Sequence, residues 1–199
     1  MVFFYIMYLC LFTVKGSFSK IIHFSNGSVT TYDGAINYCN ALNGSLLHYS
    51  KNLVKAAEQC RMQGYAWVGQ PWIKNIGCFV ARQDDADKKS AICNFSSLSE
   101  CLSTCEHERY TYIGVSLSQC FCFAQFDVNI PDLKEKCRST CYGNQGEQCG
   151  DKDYMNLYQK VLNLTSTINR QTAQYSSSSG IWLHESPYKD RLNFFCISP

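Results

Sequence analysis

The sequence predicts an α+β fold stapled by disulfides, and three observations predict it. Two helical apolar patterns precede a short buried strand in the first third of the chain. Nine cysteines, Cys93 and eight others, then crowd the interval from Cys78 to Cys149. Strand-like apolar content returns only near the end, around Trp182 and from Phe194 to Ile197.

The elements follow in order. VFFYIMYLCLFTV, thirteen residues from Val2 to Val14, is followed by Lys15, Gly16 and Ser17. The run is too short to cross a bilayer core and suits a secretory leader, residues 1–16, although no Lys or Arg precedes it. After Thr31, Ala35, Tyr38, Cys39 and Leu42 fall at i, i+3, i+4 and i+7, which places Cys39 on the buried face of a helix, and Gly44 sits where a left-handed residue would stop it. Ser50 is placed to cap a second helix with Leu53, Val54, Ala57 and Cys60 on one stripe and Gly64 just beyond. YAWVG, Tyr65 to Gly69, reads as a buried strand.

Within the cysteine-dense interval, SLSECLSTC carries a capping-box pattern, Ser97 with Glu100, opening a helix with Cys101 and Cys105 at i and i+4. Both sulfurs then face one side. Beyond Tyr158, NLTSTINRQTAQYSSSSG reads as a polar connector before IWLHE and RLNFFCIS restore strand character.

Net charge and cysteine count narrow the compartment and the partners. A formal charge of +2 on 199 residues is too mild to imply nucleic acid. Of thirteen cysteines, Cys10 lies in the expected leader, and the remaining twelve can all pair. Sequons at Asn26, Asn43, Asn94 and Asn163 fit the same secreted, oxidising setting, with no transmembrane segment once the leader is removed.

Three roles for the cysteines compete. Zinc would need converging thiolates, which Cys120, Cys122, Cys137 and Cys141 superficially offer, but the paired two-residue separations of zinc sites are missing. A redox centre would use Cys-x-x-Cys, which does not occur. Structural disulfides are the reading that remains, with no metal and no cofactor expected.

Gly77-Cys78-Phe79, the helix with Cys101 and Cys105, YTYIGV leading to Cys120-Phe121-Cys122, then Cys137, Cys141, YGNQGEQCG and YMNLYQ resemble a WSC domain spanning residues 75–159. Phe123 and Asp151 stand where that family commonly has glycine. The resemblance implies an extracellular module with carbohydrate-binding activity. The flanks, TTYDGAINYCNALNGSLLHYSKNLVKAAEQC with YAWVG and the terminal RLNFFCIS, are similar to the link and C-type-lectin-like superfamily. That second resemblance implies a bond between Cys39 and Cys196, hyaluronan-type ligands, and a WSC module (75–159) inserted between a first part (17–74) and a last part (160–199) of a lectin-like domain. Cys60 and Cys93 are left over and pair only by elimination.

The chemistry candidates point away from catalysis. His107-Glu108 evokes a zinc-protease helix, but Thr111 occupies the position of the second histidine, and no nucleophile stands in a recognisable elbow. Lectin-type calcium would need oxygen ligands near the last strands, and Trp182 is followed by Leu183-His184-Glu185 instead. Metal-free sugar binding uses aromatic faces, and the chain is 14% aromatic, enough for a binding set beyond the core. Tyr110, Tyr112, Tyr142 and Tyr154 surround the WSC cysteines, Trp72 and Trp182 belong to the lectin-like part, and Lys189 and Arg191 would engage an anionic glycan. The expected function is therefore recognition of an extracellular glycan, a glycosaminoglycan or a glucan, with a matrix or receptor module that binds protein as the alternative.

Overall fold

The computed structural model describes residues 10–14, 20–25, 29–81, 86–91, 97–117, 119–129, 133–162, 169–187 and 189–199. Cys93, Tyr188, the sequons at Asn26, Asn94 and Asn163, and the first nine residues of the expected leader lie outside them. The chain forms two compact units. The first comprises Met1–Gln70, Leu164–Tyr175 and Leu183–Pro199, and the second Pro71–Asn163 with Ser176–Trp182.

In chain order the elements are β1 (Cys10–Val14), β2 (Lys20–Phe24), α1 (Tyr32–Ala41), β3 (Ser45–Leu46), α2 (Lys51–Gln59) and β4 (Tyr65–Trp67). There follow β5 (Trp72–Val80), β6 (Lys88–Ala91), α3 (Leu98–Thr104), β7 (Tyr112–Val115), β8 (Gln119–Phe123) and β9 (Tyr154–Val161). The last three are β10 (Asn169–Ser176), β11 (Gly180–Pro187) and β12 (Asn193–Ser198).

The first unit is organised by β12, which pairs antiparallel with β2 and β3 and parallel with β4. Helix α1 starts where Thr31 Oγ1 accepts a hydrogen bond from the Gly34 amide at 3.3 Å, covering one of the orphan donors of a helix start. Its buried stripe holds Ala35 and Cys39, and Cys39 is joined to Cys196 on β12 with the two Cα atoms 5.3 Å apart. The helix stops on Asn43, which takes the left-handed conformation at φ 55° one residue before the expected Gly44. Gly44 answers to a different constraint: a Cβ there would stand 2.3 Å from the Ile197 carbonyl oxygen of β12. In α2, Leu53, Ala56 and Ala57 face inward, while Ser50 at the cap position donates its hydroxyl to the His48 carbonyl instead of capping. Phe24 stacks on Phe195 at 4.4 Å between ring centroids, and the fully buried Trp67 satisfies its indole N–H on the Thr30 carbonyl at 2.8 Å.

The second unit is an antiparallel five-stranded sheet in the order β5-β9-β7-β8-β6. Its longest ladder runs from Trp72 opposite Val161 to Val80 opposite Tyr154, with an irregularity between Asn75 and Gly77. Strand alternation divides β8 in two. Phe121 and Phe123 turn to one face, where they pack with Phe79, Met155 and Leu157. Cys120 and Cys122 turn to the other and bond Cys101 and Cys105 of α3. The match is geometric: four residues of helix rise ~6 Å, close to the ~6.8 Å spanned by two residues of strand.

The expected fold class needs correction. The fold is mainly β, with twelve strands and three α-helices among the described residues, and not the α+β layout of a link or C-type-lectin-like domain. The error lies chiefly in the expected connector: β10 runs through it, burying Gln171, Thr172 and Ala173. Thr172 is covered because its hydroxyl lies 3.4 Å from Ser186 Oγ, so a polar residue occupies an interior strand position. The expected boundaries at 75 and 159 fall within β5 and β9, and the compact unit that holds both strands comprises Pro71–Asn163 with Ser176–Trp182. Residues 10–14 of the expected leader form a strand antiparallel to β2, with Cys10 opposite Phe24. No helix among the described residues is long and apolar enough to cross a membrane.

Candidate functional site

The second unit holds its loops covalently. Cys78 on β5 bonds Cys137, just after a single 3-10 turn at Lys134–Lys136, and Cys141 bonds Cys149, closing the loop whose sequence is YGNQGEQ. Cys120, Cys122, Cys137 and Cys141 are all consumed in disulfides, which leaves none of them as a thiolate for zinc.

Three side chains of the closed loop do distinct things. Asn144 is buried and grips the tip of the β10–β11 hairpin, a segment that belongs to this unit. Its Nδ2 donates to the Ile181 carbonyl at 3.1 Å, and its Oδ1 accepts from the Ile181 amide at 3.0 Å and from the Gly146 amide at 3.2 Å. Glu147 is also buried, and its Oε2 accepts from the Leu98 amide at 2.6 Å, at the first turn of α3. Its Oε1 is enclosed without a hydrogen-bond partner, so an ionised carboxylate would be poorly compensated there; burial pushes the Glu147 pKa up to about 8 against this single amide bond. Burial, followed by the proximity of Glu147, also raises the Tyr158 phenol, which donates to the Gln148 carbonyl at 2.7 Å. Tyr142, in contrast, stands 72% exposed on the same loop.

Of the sequence-selected aromatics, Tyr142 and Trp182 reach solvent as open faces. Trp182 is 43% exposed, and its indole N–H donates to Ser179 Oγ at 3.0 Å, fixing the ring on the hairpin tip. Its Cδ1 lies 3.1 Å from where a Cβ on Gly146 would be, so the ring edge rests over that glycine. Trp72 and Tyr110 are buried, at 3% exposure each, and neither presents a ring face to a ligand. Tyr110 accepts a bond from the Arg109 guanidinium, which also lies 4.6 Å from its ring centroid. Tyr112 is half-buried, accepting from Gln159 Nε2 at 3.4 Å and tilted against Phe126, and Tyr154 is half-buried on β9. Lys189 and Arg191 are exposed residues of the first unit, and Arg191 donates to the Val29 carbonyl at 3.3 Å.

The remaining candidates fall into place without chemistry. His107 and Glu108 are exposed in the turn after α3, where His107 Nδ1 accepts from the Arg109 amide at 3.2 Å. Cys60 is disulfide-bonded, and its expected partner Cys93 lies outside the described residues. Asn43 is exposed at the end of α1, where a glycan could be attached without entering the core. Asn144, Gly146 and Glu147 are not among the residues that the sequence singles out. The available sign was an acidic residue and an amide enclosed between two cysteines only eight positions apart, where a short covalent loop forces side chains inward.

Comparison with known proteins locates the second unit. Residues 75–151 match the model of the WSC domain, confirming the resemblance over the cysteine framework and ending before β9. The match does not extend to the flanks, and nothing supports a link or C-type-lectin-like domain there. The chain is 30% identical over 116 residues to the xylosyltransferase oxt of Drosophila pseudoobscura pseudoobscura, covering 53% of this chain and 12% of that protein. It is 23% identical over 87 residues to a protein named as an inactive tyrosine-protein kinase, Wsck, of Drosophila melanogaster (44% of this chain, 11% of that one). It is 28% identical over 91 residues to a protein named as a fungistatic metabolite of Chaetomium globosum (43% and 41%). The chain thus spans less than half the length of each of these relatives.

Proposed function

We propose that this protein is an extracellular, non-catalytic glycan-recognition protein that binds through its WSC unit without a metal ion. The WSC match and the five described disulfides support an oxidising, extracellular setting. The observation that carries the reading is Tyr142. A phenol 72% exposed on a loop closed by Cys141–Cys149 is a rigid, amphipathic face offered to solvent at little entropic cost of ordering. The loop around it supplies backbone and amide groups suited to hydroxyls.

A glycan array probed with the full oxidised chain, with and without a calcium chelator, tests this. Binding unaffected by chelation is expected. Silence across the array, or binding abolished by the chelator, would overturn it, and capture of a protein partner under array silence would favour the protein-interaction role. Secretion adds a second check: the mature N-terminus determined by mass spectrometry is expected after residue 16, and a retained residue 10 would refute leader removal.

A further inference from the structure

We infer that the binding surface of the WSC unit is completed by Trp182, from outside the family-matched stretch, so that Tyr142 and Trp182 form a two-aromatic ledge for an uncharged glycan. This inference rests on the glycan-recognition reading above and names the ligand class and the residues that select it. The hairpin tip, Ser176–Trp182, belongs to the second unit although the family match ends at residue 151. It is held there by the two hydrogen bonds between Asn144 and Ile181, with Asn144 Oδ1 also fixed by the Gly146 amide, and by close approach at two glycines. A Cβ on Gly146 would stand 2.4 Å from the Ile181 carbonyl oxygen, and one on Gly180, at φ +83°, would stand 2.1 Å from Asn144 Oδ1. Two glycines and an asparagine therefore seat Trp182 against the loop that bears Tyr142.

The composition of this contact selects the ligand. Residues 142–146 read YGNQG and residues 176–182 read SSSSGIW, two aromatics among hydroxyls, amides and glycines with no charged side chain. Aromatic faces receive the C–H face of a sugar ring, and neighbouring hydroxyls and amides exchange hydrogen bonds with its hydroxyl groups. An anionic glycan would need cationic partners, which these stretches lack. Trp182 spends its own N–H on Ser179, so its ring offers a face with a fixed orientation and no unmet donor. Asn144 and Gly146 act through Trp182 as positioning residues.

Intrinsic fluorescence isolates the site, because Trp67 and Trp72 are buried at 0% and 3% exposure while Trp182 is 43% exposed. The probes are a soluble neutral glucan oligosaccharide, other neutral array hits, and heparin as the anionic control. In the full chain, the neutral glycan is expected to shield one tryptophan from acrylamide quenching and heparin to leave it accessible. Trp182→Ala and Tyr142→Ala are each expected to weaken binding about tenfold, with little salt dependence. Gly146→Ala keeps both rings but displaces the tip. It is expected to raise quenching of Trp182 and weaken binding several-fold, and Asn144→Asp, which keeps the two bonds accepted by Oδ1, to lie between it and the native chain. Native-like binding by a folded Trp182→Ala chain, while Tyr142→Ala loses it, would overturn the ledge and leave the glycan reading standing. Binding of heparin alone would overturn the ligand class and leave the glycan reading standing, and absence of binding to heparin and to every neutral glycan would overturn both.

Discussion

The two units reach stability by different routes. In the first, Phe24 on Phe195, Tyr32 on Trp67 and Tyr38 on Phe194 pack α1 and the strands β2, β4 and β12 together, and Cys39–Cys196 joins residues 157 positions apart. In the second, disulfides with separations of 8, 17, 19 and 59 residues accompany an apolar cluster of Phe79, Phe121, Phe123, Met155 and Leu157. The chain-entropy gain from a cross-link grows with the loop it closes, so Cys39–Cys196 is worth more to stability than any single short bond of the second unit. The short bonds instead hold loops in place, and it is on such a loop that an exposed aromatic is found. Long closure serves the core, and short closure serves the surface.

The largest expected effect tests that division. Replacing Cys39 and Cys196 together by Ala should cost about 5 kcal/mol in the chain-entropy model, against about 2.5 kcal/mol for Cys141 and Cys149 together. Urea unfolding of the full chain measures both. An equal or reversed order would show that loop length does not govern their contributions here.

Removing the apolar cluster instead of a bond comes next. Phe121 is fully buried, and the opposite side of its strand is tied to α3 through Cys120 and Cys122, so the site has little freedom to collapse. Phe121→Ala should therefore cost about 4 kcal/mol, near the middle of the range for buried phenylalanine. A loss under about 1 kcal/mol would mean that the disulfides alone carry the second unit.

Much of this could be read in the sequence, for identifiable reasons. The helical stripe of Ala35 and Cys39, the cap at Ser97 and the shared side of Cys101 and Cys105 follow from a period set by backbone geometry, and the structure shows each of them. Strand β10 could not be read, because its interior positions hold the polar Gln171 and Thr172, and the Thr172 hydroxyl meets its partner, Ser186, only across the β10–β11 hairpin. The fold class was misjudged through that strand. Of the ligand candidates, Tyr142 and Trp182 were visible as aromatics, but so were Trp72 and Tyr110, which are core residues. Residue type does not separate a ring packed inside from one left outside. The enclosure of Glu147 was equally hidden, since a glutamate in a glycine-rich loop is ordinarily solvated.

That enclosure gives the next prediction. With a folded-state pKa of about 8 against an ordinary value near 4.5, Glu147 holds its proton more tightly when folded. Its favourable contribution is fully present below about pH 4.5 and is lost as pH rises through about 8, so stability falls with pH across that window. Glu147→Gln keeps an oxygen for the Leu98 amide and cannot ionise. It should flatten this pH dependence and leave the variant more stable than the native chain by up to about 3 kcal/mol at pH 7. Urea midpoints at pH 5 and pH 8.5 check the sign; parallel profiles for the two proteins would refute it.

The smallest effect compares one helix start from each unit. Ser97 Oγ accepts from the Glu100 amide at 3.2 Å and is buried, so after Ser97→Ala no water can readily replace the lost acceptor. Thr31 Oγ1 accepts from Gly34 at 3.3 Å but is only half-buried, and solvent can take over part of its role. At α3 the neighbouring Leu98 amide already depends on Glu147, so two amides of this start are covered by buried side chains of the protein. Ser97→Ala should cost about 1 kcal/mol and Thr31→Ala about 0.5 kcal/mol, within the usual span for cap removal. Measurement at pH 5, where Glu147 is neutral, separates the cap from the carboxyl equilibrium. If Thr31→Ala proved the costlier, burial of the cap would not be what sets its worth, and the disulfides that hold α3 would be compensating for the lost hydrogen bond.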